Sequence, residues 1–221
     1  MNNVVPIYIN SLSKSFGNKL VLNNLNLIVE KPSIISIVGN NGAGKSVFLH
    51  CMLNFMKYDS GEIRILNQNI DDRIFLRKNT AFVSSDHQDY LEKLTVEEYF
   101  ELLIDIYQLP ANQTINIYHQ LSEELNITKE LGTNFSELSF GTKKKVQLIG
   151  AILYDPKLLV CDEIFEGLDY QATEWVKNLF KKRKAENKTT LFTSHILQHT
   201  TEVADRLYRL EGGRLIEEYI N

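Results

Sequence analysis

The period of the apolar positions shifts along the chain, and each shift marks a change of element. Val4–Ile9, Val21–Glu30 and Glu62–Leu66 are short β-branched or alternating runs split by Gly, Asn and Lys turns, which predicts strands. Ile34-Ile35-Ser36-Ile37-Val38 is instead almost continuously apolar, as expected of a strand buried on both faces of a parallel sheet. It runs straight into a glycine-rich turn and a helix-like stretch from Lys45 to Phe55. From about residue 86 to residue 137 helical spacing takes over. Thr95 with Glu98 forms a capping box, apolar residues recur at Leu102, Leu103, Ile106 and Tyr107, and Leu109-Pro110 stops the helix. A further amphipathic stretch covers Ile115–Leu125. The βα alternation then resumes, with Gly141–Tyr154 as helix, Leu158–Cys161 as a buried strand and Tyr170–Ala185 as an amphipathic helix. Thr189–Thr193 reads as another strand, followed by a short helix and a hairpin around Gly212-Gly213. The predicted class is α/β, a parallel sheet with an all-helical inset at about 86–137, within one domain over residues 1–221.

Composition narrows the function more than the fold. The 221 residues are 43% hydrophobic and 24% charged, close to the average globular domain, which excludes disordered and collagen-like classes. Lys plus Arg is 24 against 28 acids, a net charge of −4, and no nucleic-acid partner is expected. Two cysteines, Cys51 and Cys161, make no disulfide framework; they read as packing residues, and the five histidines show no metal spacing. MNNVVPIYIN lacks a basic segment followed by an apolar stretch, so no leader is expected. No window approaches the ~20 apolar residues of a membrane helix. A cytoplasmic chain follows, whose membrane contact, if it has one, comes through a partner.

The chemistry concentrates in two stretches. Gly39-Asn40-Asn41-Gly42-Ala43-Gly44-Lys45-Ser46 is a full GxxxxGK[ST] match between a buried strand and a helix. Glycines let the backbone form a nest of N–H groups aimed at phosphate oxygens, and the following helix adds its positive dipole end. Lys45 is placed to neutralise the β- and γ-phosphates of a nucleotide, and the Ser46 hydroxyl to ligate Mg²⁺. Leu158-Leu159-Val160-Cys161-Asp162-Glu163 is a buried strand ending in two acids, which delivers carboxylates to the edge of the sheet where ligands gather. Asp162 is placed to hold Mg²⁺ and Glu163 to polarise an attacking water as general base.

With these motifs in order, the whole chain resembles the nucleotide-binding subunits of ATP-binding cassette (ABC) transporters. Phe16, in Ser15-Phe16-Gly17, lies where that family stacks an aromatic on adenine. Leu138-Ser139-Phe140-Gly141-Thr142 resembles the signature LSGGQ, whose Ser139 and Gly141 N–H would meet the γ-phosphate held by an opposite subunit. Asp169, in Glu166-Gly167-Leu168-Asp169, resembles the D-loop aspartate, and Thr193-Ser194-His195 the switch histidine that touches the γ-phosphate. The resemblance implies a P-loop NTPase core with a mixed or parallel sheet, an N-terminal antiparallel β-subdomain and a helical subdomain insertion. It implies ATP hydrolysis with Mg²⁺, a homodimer or heterodimer of ATPase subunits, and a separate transmembrane permease subunit. It also implies a place on the inner face of the cell membrane, reached through that permease.

The chain departs from the family pattern at several points. The glutamine expected after the strand Ala81-Phe82-Val83-Ser84 falls on Ser85 or Asp86, with Gln88 close by. Phe140 and Thr142 replace a signature glycine and glutamine, Ile164 replaces a proline, and Val47 stands where a second hydroxyl often follows Ser46. A bulky signature residue followed by lysines leans toward export. Lys143-Lys144-Lys145 reads equally well as a solvated helix face, and Lys181-Lys182-Arg183-Lys184 reads as solvated. Two further readings stay open: a cytosolic ATP-dependent interaction module, as in iron–sulfur assembly, and a partner that binds ATP and hydrolyses it weakly.

Overall fold

The computed structural model describes residues 4–86, 91–195 and 197–219. Two sheets carry the molecule. The first is antiparallel, in the order β2–β1–β4–β5, with β1 at Ile7–Phe16, β2 at Lys19–Val29, β4 at Ser60–Ile65 and β5 at Gln68–Asn69. β1 continues well past Ile9 because its later residues pair with β2 through register shifts, beginning at Ser11, whose φ is 53°. That half of the strand shows no clean alternation.

The second sheet has the order β10–β9–β3–β8–β7–β6. Its central strands β3 (Ile34–Val38), β6 (Thr80–Val83), β7 (Leu158–Cys161) and β8 (Thr189–Ser194) run parallel, and β9 (Arg206–Glu211) joins β3 in parallel. β10 (Arg214–Glu218) closes the edge antiparallel to β9. Every residue of β3, β7 and β8 is buried. This explains why their sequences read as largely apolar or β-branched runs: one face is covered by the antiparallel sheet with the helix after β3, the other by helices.

α1 (Lys45–Met52) and α2 (Arg73–Asn79) accompany the core. α2 buries only Leu76, so its sequence carries no apolar stripe. The inset follows β6. α3 (Val96–Tyr107) opens on the predicted capping box, with the Thr95 hydroxyl accepting from Glu98 N and the Glu98 carboxylate from Thr95 N. α4 (Ala111–Glu124) packs beside it, and Phe100, Tyr118, Phe135, Val146 and Ile149 form their shared core with α5 (Phe140–Leu153). Tyr107 of α3 stacks on Tyr154, just past α5, with ring centroids 3.8 Å apart. α6 (Tyr170–Ala185) and α7 (Leu197–Thr201) complete the α/β half. The amphipathic α6 buries Val176, Phe180 and also Arg183, which donates to the carbonyl of Pro156; the reading as solvated holds for Lys181, Lys182 and Lys184, which are exposed, and is corrected at Arg183. Cys51 and Cys161 are free and buried, and burial pushes the Cys51 thiol up to about 11. Trp175 is half-buried against two of the apolar clusters. Among the described residues no helix is long and apolar enough to cross a membrane.

Candidate functional site

Three adjacent parallel strands, β3, β8 and β7, end at one edge, with Val38 opposite Ser194 and Cys161 opposite Phe192. That register brings the phosphate-loop stretch, the Asp162–Glu163 pair and His195 together although they are distant in sequence. The loop turns into α1 at Gly44, whose φ of 104° and tight approach to Val21 (a Cβ would lie 2.8 Å from its Cγ1) leave room only for glycine. A groove of about 560 Å³ beside it is lined by Phe16, Lys19, Val21, Asn41, Gly42, Gly44, Lys45, Ser46, Val47 and Glu163. Phe16 is 47% exposed at its rim, and Val47 turns partly into the core. Gly39 and Asn40 line a neighbouring cavity together with Asn41, His195 and Arg209. Ala43 closes the loop by donating its N–H to Asn40 O at 3.1 Å.

Lys45 is buried, and its Nζ donates to Gly39 O at 2.7 Å and lies 3.1 Å from the Glu163 carboxylate. Asp162, 2% exposed, is ringed by hydroxyls. Ser46 and Ser85 donate to its Oδ2 at 2.6 and 2.9 Å, and Thr193 donates to Oδ1 at 2.6 Å. The same Thr193 oxygen accepts from Glu163 N at 2.8 Å, tying both acids to β8. His195 donates its backbone N–H to Glu163 Oε2 at 3.0 Å, and its ring Nδ1 lies 2.9 Å from that oxygen. Glu163 itself sits in the left-handed region, φ 47°, a conformation a β-carbon disfavours and the surrounding bonds must hold. Of the candidates for the missing glutamine, Ser85 faces Asp162. Asp86 is exposed, donating its N–H to Ser84 Oγ, and Gln88 lies outside the described residues.

Ser139, Gly141 and Asp169 lie elsewhere. Ser139 is exposed and caps α5, its hydroxyl accepting from Thr142 N at 3.2 Å. Gly141 packs on the D-loop-like turn so closely that a Cβ would stand 2.2 Å from Gly167 O. Asp169 caps α6 through Ala172 N and pairs with Lys145 at 2.6 Å. The Lys145 ammonium and the Ala172 N–H hold the Asp169 carboxyl below its ordinary value. Sequence reasoning passed over Thr193 as a bridge. It also left the lysine run undecided, although Lys144 is 1% exposed and Lys145 is paired.

The residues present suit a magnesium-bound nucleotide. Ser46 and Asp162 offer hard oxygen donors side by side, and among the described residues no cluster of three or more His, Cys, Asp or Glu could cage a metal without further ligands. That donor set matches Mg²⁺, which keeps waters and substrate phosphates in its shell.

The family model described as ABC transporter matches residues 22–166, most of the chain. The chain belongs to the ABC transporter family. Within it, the cassette is an ATP-binding subunit, 29% identical over 97% of its length to "Nod factor export ATP-binding protein I" of Rhizobium leguminosarum bv. viciae, spanning 69% of that protein. It is also 29% identical over 94% of its length to "Bacitracin transport ATP-binding protein BcrA" of Enterococcus faecalis, spanning 67% of it. A solved structure titled "Structure of ATP binding subunit of ABC transporter" superposes with a TM-score of 0.89 at 26% identity, over 97% of this chain and 90% of that one. A nucleotide-free ATP-binding cassette shares the fold, with a TM-score of 0.80 at 23% identity, over 98% of this chain and 92% of that one.

Proposed function

We infer that this cassette hydrolyses ATP to drive a separate transmembrane permease, working as one of two cassettes that close on ATP, in an export system. The observation that carries the reading is the meeting of Lys45, Ser46, Asp162 and Glu163 at one sheet edge, where Ser46 donates to Asp162 at 2.6 Å and Lys45 pairs with Glu163 at 3.1 Å. The relative named for Nod factor export supports the direction, and the one named for bacitracin transport supports the coupling to transport.

Phe16 offers an aromatic face to the base, and Asn40, Asn41, Gly42, Gly44 and Val47 offer backbone N–H groups to the phosphates in a loop that the Ala43 N–H closes on Asn40 O. Lys45 neutralises the β- and γ-oxygens. Ser46 and Asp162 would hold Mg²⁺, which supplies positive charge at the leaving phosphate oxygens. Glu163 accepts a proton from water as the water oxygen bonds to the γ-phosphorus and the bond to the β-phosphate oxygen breaks. His195, fixed on Glu163 through its backbone, turns its imidazole toward the γ-phosphate. Ser139 and Gly141 serve the nucleotide of the opposite cassette, and Asp169 lies at that same interface.

The test is Mg²⁺-dependent ATP turnover by the purified cassette and by its complex with the co-expressed permease. Glu163→Gln is expected to cut kcat by roughly 10²–10⁴-fold while ATP binding persists. A wild-type protein that binds ATP and never turns it over, alone or in the complex, overturns the reading.

A further inference from the structure

Lys144 is the one member of the lysine run that is almost wholly buried, 1% exposed on the second turn of α5. Its ammonium donates to the carbonyl of Glu163 at 2.6 Å and to that of Glu166 at 3.0 Å. It also sits 4.5 Å above the ring of Phe140, the residue that replaces a signature glycine. Burial pulls this ammonium below lysine's ordinary value, opposed by the nearby carboxylates of Glu166 and Glu163. An apolar side chain of the same length would pack here without that desolvation, so the charge answers a need other than packing.

The need is visible in the turn it grips. Glu163 is held in a left-handed conformation. Its N–H is fixed by Thr193, its carboxylate by Lys45 and His195, and its carbonyl by Lys144. The second carbonyl, that of Glu166, lies three residues before Asp169 on the same segment. At the other end, Lys144 belongs to the helix that Ser139 caps and that Gly141 presses against Gly167.

We propose that Lys144 is a positioning residue for ATP hydrolysis: its buried ammonium, bonded to the carbonyls of Glu163 and Glu166, sets the turn that aims the Glu163 carboxylate. The same bonds clamp the 163–169 segment to the helix that begins at Ser139. The half of the molecule that cleaves its own ATP and the half that reaches the opposite one then move as a single body. This rests on the assignment of Glu163 as general base.

The experiment compares full-length wild type with Lys144→Met. Steady-state ATPase, nucleotide binding and amide hydrogen exchange are read on the same preparations. The methionine variant is expected to lose roughly tenfold or more in kcat, as when a group supporting a reactive one is removed. Its ATP affinity stays that of wild type. Amides of residues 163–169 exchange faster while those of β3 and β7 do not change. An unchanged kcat, or a loss that appears wholly in ATP binding, overturns the proposal. If wild type itself never turns ATP over, the base assignment fails by that result alone, and unchanged exchange at 163–169 separately overturns the clamp. Should the methionine variant not fold, Lys144→Leu, which likewise removes the donors, is read by the same criteria.

Discussion

The phosphate-loop end of the cassette and the signature end differ in where their polar groups find partners. At the first, Asp162 and Lys45 are buried, and their partners come from α1, from β8 and from the turns just after β3, β6 and β7, so neighbouring strands of one sheet hold the geometry. At the second, Ser139 is exposed and its hydroxyl satisfies its own helix, accepting from Thr142 N, while Gly141 rests on a backbone turn. One end is a finished constellation within a single chain. The other is an exposed helix start, which in the proposed reading serves a second cassette. Binding and turnover should therefore separate by mutation.

The largest effect that sharpens this contrast is expected at Lys45. Lys45→Ala removes a charge-assisted contact to phosphate and leaves the Glu163 carboxylate without its cation. ATP affinity should fall by about 1.5–3 kcal/mol, roughly tenfold to a hundredfold in Kd, at any protein concentration. Equilibrium titration with a fluorescent nucleotide measures it, and an unchanged Kd would remove Lys45 from the site.

Ser139→Ala should act differently. Loss of the cap costs α5 about 1 kcal/mol, read as a lower unfolding midpoint. ATP binding by dilute protein should hold, while turnover per subunit drops at concentrations where cassettes associate. If Ser139→Ala weakened nucleotide binding in dilute protein as much as Lys45→Ala does, the two ends would not be separate in function.

The smallest effect concerns Asp169, which belongs to the exposed end. Its carboxyl is held below the ordinary value of 3.8 by Lys145 and by the Ala172 N–H, so folding favours the charged form. That contribution is present in full above 3.8 and is lost as pH falls through the depressed folded value. Asp169→Asn keeps a capping side chain and removes the charge. Wild type should exceed it in stability by a few tenths of a kcal/mol at pH 7, and the gap should close in acid. A gap that did not vary with pH would show that the Lys145 pair contributes nothing.

What could be read from the amino acids follows the same division. β3 and β7 appear at their observed limits because strands covered on both faces have no solvent-facing positions to break the pattern, even Ser36 being buried. The capping box at Thr95 and Glu98 likewise writes its start into four residues. α2 stayed hidden because one buried leucine makes no periodicity, and the far half of β1 because its bulges break the alternation. Among site residues, the phosphate loop and the two acids are local motifs. Thr193 and Ser85 act through hydroxyls that only strand order brings to Asp162. Lys144 and Arg183 lie in runs of like charge, where a buried cation looks the same as a solvated one.

The Gly141–Gly167 contact also bears on how such chains are recognised. The neighbour that forbids a side chain at 141 is a backbone carbonyl, whereas Phe140 lays its ring beside the α-carbon of Gly167, where an added Cβ would stand 2.7 Å from Cδ1. Of the two glycines in the usual signature, only the second is demanded by this packing. A text pattern requiring both would pass over this protein. A pattern written as one glycine facing another across a turn would find it.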